Sequence, residues 1–565
     1  MARVTPYSHV HALVVDDMPA QQTTLRAQLA MLGISRVDGA TSPEQALRLI
    51  RRHAYGLVLC DYNLGHRTDG QQLLEHLRST QALGADCLFF MITAENGYAA
   101  VASASEQLPD AYLVKPATAS DIEDRLKSAL ERRHALLPIT QRLQAEDLPG
   151  ALQACDEILA RRDRWGLASM QLKAQTLLAA ARPDDAIAVY RQVLAARPGL
   201  VWAAVGVARA HKAAGRLAEA EASARSVIER PDGRSALAAY DVLADALDAQ
   251  GRATESTEVL RQAASIVPSA RRMRRLGESA FRTGDLATAC ECLAKAAQAT
   301  RGSLTADPQD TLTLAQALVD AGDPAAALAA LSEAEASMRD DTAATGAAWA
   351  LRAQALAASG ERDAACHAAE QARQRLGAGT AGFAAVALAR AELASGQEPQ
   401  GLERLKRCVC ADHENPQVRQ WAQAALQRSG RGQLVDEIVE AAAREMKAGI
   451  RGARAQLRDG DMLAALAAIE ATLATYPDNT GVLLEATQMH CLALRLGRSL
   501  DGERLERAQQ HLARLEQLMP DADRVANIRR YLRETVALLA AQRPEPAVRA
   551  PERPPTSAAM AGAGS

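Results

Sequence analysis

The chain has 565 residues, too many for a single domain, and its 65 basic and 68 acidic residues leave a net charge of -3. That balance gives no electrostatic ground for nucleic acid or a membrane surface as a partner. No apolar run approaches the roughly 18 residues needed for a membrane span, and the first residues do not read as a signal peptide.

Residues 1–8 form a short leader. The apolar run from His11 to Val15 ends in Asp16-Asp17 and predicts a strand over 11–17. Pro19 then starts a helix over 19–32, which Gly33 ends. Residues 36–40 are a weak second strand, and Pro43 with Glu44 opens a helix to about His53. The third run, Tyr55 to Asp61, ends in an aspartate followed by the glycine-bearing loop Tyr62-Asn-Leu-Gly-His. Asp69 and Gly70 cap a helix to about Thr80, the fourth strand covers 87–93, and an Ala- and Ser-rich helix lies at about 97–107. A fifth strand over 111–115 ends in Lys115-Pro116, and the last helix of this region runs from Thr118 toward Arg133. Short apolar runs alternating with helical patterns predict an α/β, doubly wound, five-stranded parallel sheet.

In such sheets ligands bind just outside the carboxyl ends of the strands. Asp16, Asp17, Asp61, Thr93 and Lys115 are therefore expected on one edge. Three carboxylates repel one another, and an all-oxygen set of this kind suits Mg2+. A carboxylate beside such a metal can attack phosphorus, with an ammonium and a hydroxyl stabilising the phosphoryl oxygens. On this reading Asp61 is the acceptor, Asp16 and Asp17 hold the metal, and Lys115 and Thr93 contact the phosphoryl group.

The segment from about 9 to 133 resembles the receiver domain of bacterial two-component response regulators. The resemblance rests on the acidic pair Asp16-Asp17 after the first strand, Asp61 after the third, Thr93 after the fourth and Lys115-Pro116 after the fifth. It implies that Asp61 takes its phosphoryl group from the histidine of a histidine kinase or phosphotransfer protein. It further implies that the backbone carbonyl of Asn63 joins the metal ligands, that Thr93 is the switch hydroxyl and Tyr112 the aromatic switch, and that the bond before Pro116 is cis. Asn63 and Glu95 occupy the two positions that tune acyl-phosphate hydrolysis in this family. The surface of the fourth helix, fifth strand and fifth helix often mediates dimerisation among its members. Here that surface carries Glu106, Asp121, Asp124 and Arg125, which leaves a homodimer and a solvated face equally open.

From about 135 strand-like runs vanish and Ala-rich helical patterns recur at a regular beat. A turn element recurs at Gly215-Arg-Leu-Ala-Glu-Ala220, Gly251, Gly284, Gly322, Gly360 and Gly460, and Ala181-Arg-Pro-Asp-Asp-Ala186 is the same element without its glycine. A unit of about 34 residues repeated in tandem predicts stacked helical hairpins. The units resemble tetratricopeptide repeats (TPR) in the small residues Ala186, Ala220 and Ala289, in Pro198, and in the aromatics Tyr190 and Trp202. Between 396 and 455 the pattern blurs at Gly396, Gly401, Pro416 and Gly432, and 434–449 reads as one amphipathic helix. Five segments follow: a receiver-like domain at 1–134, repeats at 135–395, degenerate repeats or a hinge at 396–455, C-terminal repeats with a capping helix at 456–541, and a Pro-, Ala- and Ser-rich disordered tail at 542–565.

Nine scattered cysteines predict free thiols in a reducing cytoplasm. Cys408-Val-Cys410 with His413 has too short a gap and no distant partner pair for a zinc site. His211 and His367 read as surface or packing residues. With no catalytic cluster after 135, enzymatic activity is at most self-phosphorylation and autodephosphorylation at Asp61. The expected function is a phosphorylation-gated switch of protein interactions made by the repeats, with an unknown protein partner. A phosphate sink localised by its repeats and a phosphorylation-independent scaffold are the alternatives.

Overall fold

The computed structural model describes residues 7–541 except 66–67, 81, 85, 95–108, 232, 302–305, 378–379, 381, 413–414, 499–500 and 520–522. It divides into two compact units, residues 1–361 and 362–565. Residues 1–6 of the expected leader, the helix at 97–107, Glu95, Glu106, His413 and the tail lie outside the described residues.

The first unit begins with five parallel strands, β1 (His11–Val15), β2 (Arg36–Ala40), β3 (Leu57–Asp61), β4 (Leu88–Thr93) and β5 (Ala111–Val114), in the order β2-β1-β3-β4-β5. Alternation along each strand builds two cores. Ala12, Val14, Leu57, Leu59, Leu88, Phe90 and Ile92 fill one face, while Leu13, Val15, Val58, Cys60, Phe89 and Met91 fill the other. Among the described residues, helices α1 (Pro19–Met31), α2 (Pro43–Ile50) and α3 (Gly70–Ser79) connect the strands. Asp69 and Gln72 form a reciprocal capping box at the start of α3.

The helix that closes this domain runs from Ala119 to Gln144, well past the expected stop near Arg133. Pro138 sits inside it without ending it, because Leu136 and Ile139 bury against Ala151, Ala154, Cys155 and Ile158 of the helix Leu148–Ala160. Tertiary burial outweighs the missing amide hydrogen bond. The same helix is thus shared by the sheet domain and the first hairpin of the array.

Helical hairpins follow through the rest of the described chain. The turn glycines 215, 251, 284, 322, 360 and 460 all have φ between 73° and 85°, the left-handed conformation in which an L side chain is strained. Ala181 adopts it too, at φ 54°, as its place in the beat implies. Gly396 (φ 83°) and Gly430 (φ 74°) take the same conformation, so the turn element continues through the stretch where the sequence pattern blurs. The expected helix over 434–449 is a 3-10 turn at Gly432–Leu434, a π turn at Asp436–Glu440 and an α-helix from Ala441 to Arg458. At Gly206 the Tyr190 ring lies so close that an added Cβ would stand 2.4 Å from it.

Candidate functional site

The carboxyl ends of β1, β3, β4 and β5 bring Asp16, Asp17, Asp61, Thr93 and Lys115 to one edge of the sheet, as expected. Asp16 is fully buried and held from two sides. Its Oδ1 accepts from the Met18 amide (2.9 Å), and Gln22 Nε2 donates to its carbonyl (2.8 Å) and to that of Ala40 (2.9 Å). Lys115 Nζ donates to Asp61 Oδ2 at 2.7 Å and to Asp16 Oδ2 at 3.3 Å. The Lys115–Pro116 peptide is cis.

Glycines make room for this arrangement. Gly65, at φ 63°, stands where a Cβ would lie 2.2 Å from Asp17 Oδ2, and at Gly70 a Cβ would lie 2.3 Å from the Asp61 carbonyl oxygen. The loop after β3 therefore lies against Asp17 at Gly65, and the start of α3 rests against the backbone of Asp61.

Burial raises the Asp61 carboxyl above its ordinary pKa, although the Lys115 hydrogen bond and charge, and the Asn63 amide, pull the other way. Burial alone would lower the Lys115 ammonium, but its hydrogen bond to Asp61 and the charges of Asp61 and Asp16 outweigh that and raise it. One ammonium faces three carboxylates, whose oxygens lie within 4.8 Å of one another. This uncompensated, all-oxygen set fits a hard divalent cation such as Mg2+. Asn63 lies at the same loop, exposed, with its side-chain oxygen accepting from the Gly65 amide.

Thr93 is buried at the end of β4, one residue beyond the Asp61–Ile92 pair. Tyr112 packs against the core face that holds Phe89 and Met91. Its hydroxyl is buried with no hydrogen-bond partner among the described residues, and burial pushes its pKa up to about 12.

The repeats contribute residues that the sequence pattern did not single out. Arg209 and Lys212, Asp241 and Asp245, and Arg271 and Arg275 come from three helices, Val201–Ala213, Leu237–Ala249 and Ala270–Thr283, and line a cleft of about 390 Å³. Arg275 binds Asp241 (2.5 Å) and Asp245 (2.6 Å), and Lys212 binds Asp245 (2.6 Å). The signal was present as polar residues three or four apart on the first helix of successive hairpins, a spacing that also describes any solvated face. Next to this cleft, burial lowers the pKa of Arg272, with the charge of Asp241 the leading opposing influence. His211 is buried and accepts from Arg216 Nε at 3.1 Å, a packing role, and His367 is exposed. All nine cysteines are free. Among the described residues no helix is long and apolar enough to cross a membrane.

Residues 12–127 match the response regulator receiver domain, and residues 177–240 match a tetratricopeptide repeat. "Probable transcriptional regulator ycf27" of Cyanidium caldarium is 29% identical over 22% of this chain, which spans 47% of that protein. Chemotaxis protein CheY-3 of Vibrio cholerae serotype O1 is 28% identical over 21% of this chain and 91% of its own. The solved structure of YrrB, a TPR protein with an unusual peptide-binding site, is 14% identical over 33% of this chain and 91% of that one, at a TM-score of 0.29.

Proposed function

We propose, from the premise that residues 12–127 are a response regulator receiver domain and that tetratricopeptide repeats follow it, that the chain is a cytoplasmic two-component regulator whose output is protein binding by the repeats. The observation that carries this reading is Lys115 Nζ held between Asp61 Oδ2 and Asp16 Oδ2, with Asp17 in the same group.

Asp61 accepts the phosphoryl group from the phosphohistidine of a kinase or phosphotransfer protein. A carboxylate oxygen of Asp61 forms the new bond to phosphorus, the P–N bond breaks, and the imidazole leaves with that electron pair and takes up a proton. Lys115 neutralises charge on the phosphoryl oxygens, and Thr93 donates its hydroxyl to another of them. Asp16, Asp17, Asp61 and the Asn63 carbonyl would hold Mg2+, which when bound would offset the negative charge gathered on the carboxylates and phosphoryl oxygens. Asn63, two residues beyond the acceptor, tunes access of water to the acyl phosphate.

The change spreads through Thr93 and Tyr112, through α3, whose first residue abuts Asp61, and through the helix Ala119–Gln144 that the receiver shares with the first hairpin. The cleft beside Arg272 carries four cations against two carboxylates, which suits a partner segment bearing carboxylates. Phosphorylation shifts a two-state receiver and alters access to this surface.

The test is phosphorylation by acetyl phosphate with Mg2+, read on phosphate-affinity gels, with wild type and Asp61→Asn. One acid-stable, base-labile phosphoryl group per wild-type chain, absent in Asp61→Asn, is expected. A wild-type chain that stays unmodified while binding Mg2+ would overturn the assignment.

A further inference from the structure

The second unit contains a cluster that neither the receiver nor the repeat pattern accounts for. Glu470 lies on the helix Met462–Thr475, His490 on Thr480–Gly497 and His511 on Gly502–Leu518, three consecutive helices. Both imidazoles aim the same atom at the same acceptor. His490 Nε2 is 2.7 Å from Glu470 Oε1, and His511 Nε2 is 3.0 Å from it. The rings stand 5.7 Å apart at 47°. The side chains are 3% (His490), 12% (His511) and 24% (Glu470) exposed, so the cluster is enclosed on the histidine side and open to solvent along the carboxylate.

From this geometry we infer that Glu470, His490 and His511 form a binding site for a borderline divalent cation, Zn2+ or a close analogue. Two imidazole nitrogens and one carboxylate oxygen are a donor set that zinc takes with a fourth position left for water. Zinc bonds of about 2.0–2.1 Å in a tetrahedron place ligand atoms about 3.3 Å apart. The two nitrogen–oxygen separations found here, 2.7 and 3.0 Å, need to open by only a few tenths of an ångström. The third separation, between the two ligand nitrogens, is no more than 4.8 Å. Nitrogen donors also separate this site from the all-oxygen receiver cluster, because Mg2+ does not favour imidazole.

The two imidazole hydrogen bonds hold the Glu470 carboxyl well below its ordinary range; an ion would take their place, with each ligating imidazole carrying its proton on Nδ1. The core around it is apolar, with Leu466, Ile469, Ala486, Ala508 and Leu512 among its members. His490 Nδ1 is buried with no hydrogen-bond partner. A metal-ligating histidine usually donates its other N–H to a nearby acceptor, and lack of that partner lowers affinity about 10–100-fold. Moderate rather than structural-zinc affinity is therefore expected, and a bound ion would tie three consecutive helices together.

The experiment is a Co2+ titration of the chelator-stripped full chain in excess Mg2+, followed by visible absorption and by competition with Zn2+. One equivalent of tetrahedral Co2+ showing d–d bands without a thiolate charge-transfer band is expected. Glu470→Gln and His511→Gln should each weaken binding at least tenfold while leaving Mg2+-dependent beryllofluoride binding by the receiver unchanged. Because either variant could loosen the repeats, wild-type hydrogen exchange with and without Zn2+ gives a second reading, with slowing expected over 462–518. A thiolate-type spectrum, binding that survives both substitutions, or absence of saturable binding and of slowing over 462–518 would overturn the site.

Discussion

Lys115→Met tests whether one ammonium holds the receiver's acidic edge together. Asp16 is fully buried and Asp61 is 7% exposed, and Lys115 lies 2.7 Å from one carboxylate and 3.3 Å from the other. At an effective dielectric of about 20 those separations correspond to about 6 and about 5 kcal/mol of gross attraction, most of which desolvation cancels. Removing one partner of a buried ion pair costs about 3–5 kcal/mol. Because the lysine side chain is 26% exposed, the lower end, about 3 kcal/mol, is expected at neutral pH without Mg2+. That loss corresponds to a roughly 100-fold fall in hydrogen-exchange protection of β1 and β3. The sign with pH follows from Asp61, whose pKa is raised in the folded chain by burial and would rise further without Lys115. Below the ordinary aspartate value, about 3.9, the group is protonated whether folded or unfolded and the loss vanishes. It grows once pH passes the raised wild-type folded value and levels off above the still higher value of the variant. Mg2+ should restore much of the protection. Unchanged protection, or a loss that neither acid nor Mg2+ reduces, would refute the reasoning.

Two further outcomes concern the repeats. Ala181→Gly should stabilise the hairpin around it by about 1 kcal/mol, since a left-handed alanine costs about 1–2 kcal/mol and glycine returns part of that as chain entropy. The check is an approximately fivefold slowing of amide exchange in the helices Gly166–Ala179 and Pro183–Ala196, and Gly215→Ala should do the reverse in its own hairpin. Gly206→Ala should cost about 2 kcal/mol through overpacking against Tyr190, measured by urea unfolding followed by tryptophan fluorescence, and a second change, Tyr190→Leu, should recover part of it.

The acidic edge was legible because each of its residues directly follows an apolar run, and a parallel sheet sends all such run ends to one side. Asp16, Asp17, Asp61, Thr93 and Lys115 needed no knowledge of long-range packing beyond that. The turn at Ala181 was legible for a similar reason, since a fixed beat locates it even without glycine. Other features depend on contacts that local pattern does not encode. The helix through Pro138 persists because Leu136 and Ile139 find a partner helix, and Gly396 and Gly430 keep the beat where helix composition obscures it. Glu470, His490 and His511 lie 20 and 21 residues apart on separate helices, a spacing with no motif, and only the hairpin stack brings them together.

The helix Ala119–Gln144 ends the receiver and begins the array with no loop between them. Such a junction has an angular phase. Each α-helical residue turns the chain by about 100° and advances it about 1.5 Å. One inserted residue would swing the hairpins of the first unit by more than a quarter turn against the sheet, whereas seven would return them to within about 20° of their starting angle. The joint works as a keyed shaft, so residue count at this point sets which side of the first hairpins faces α3.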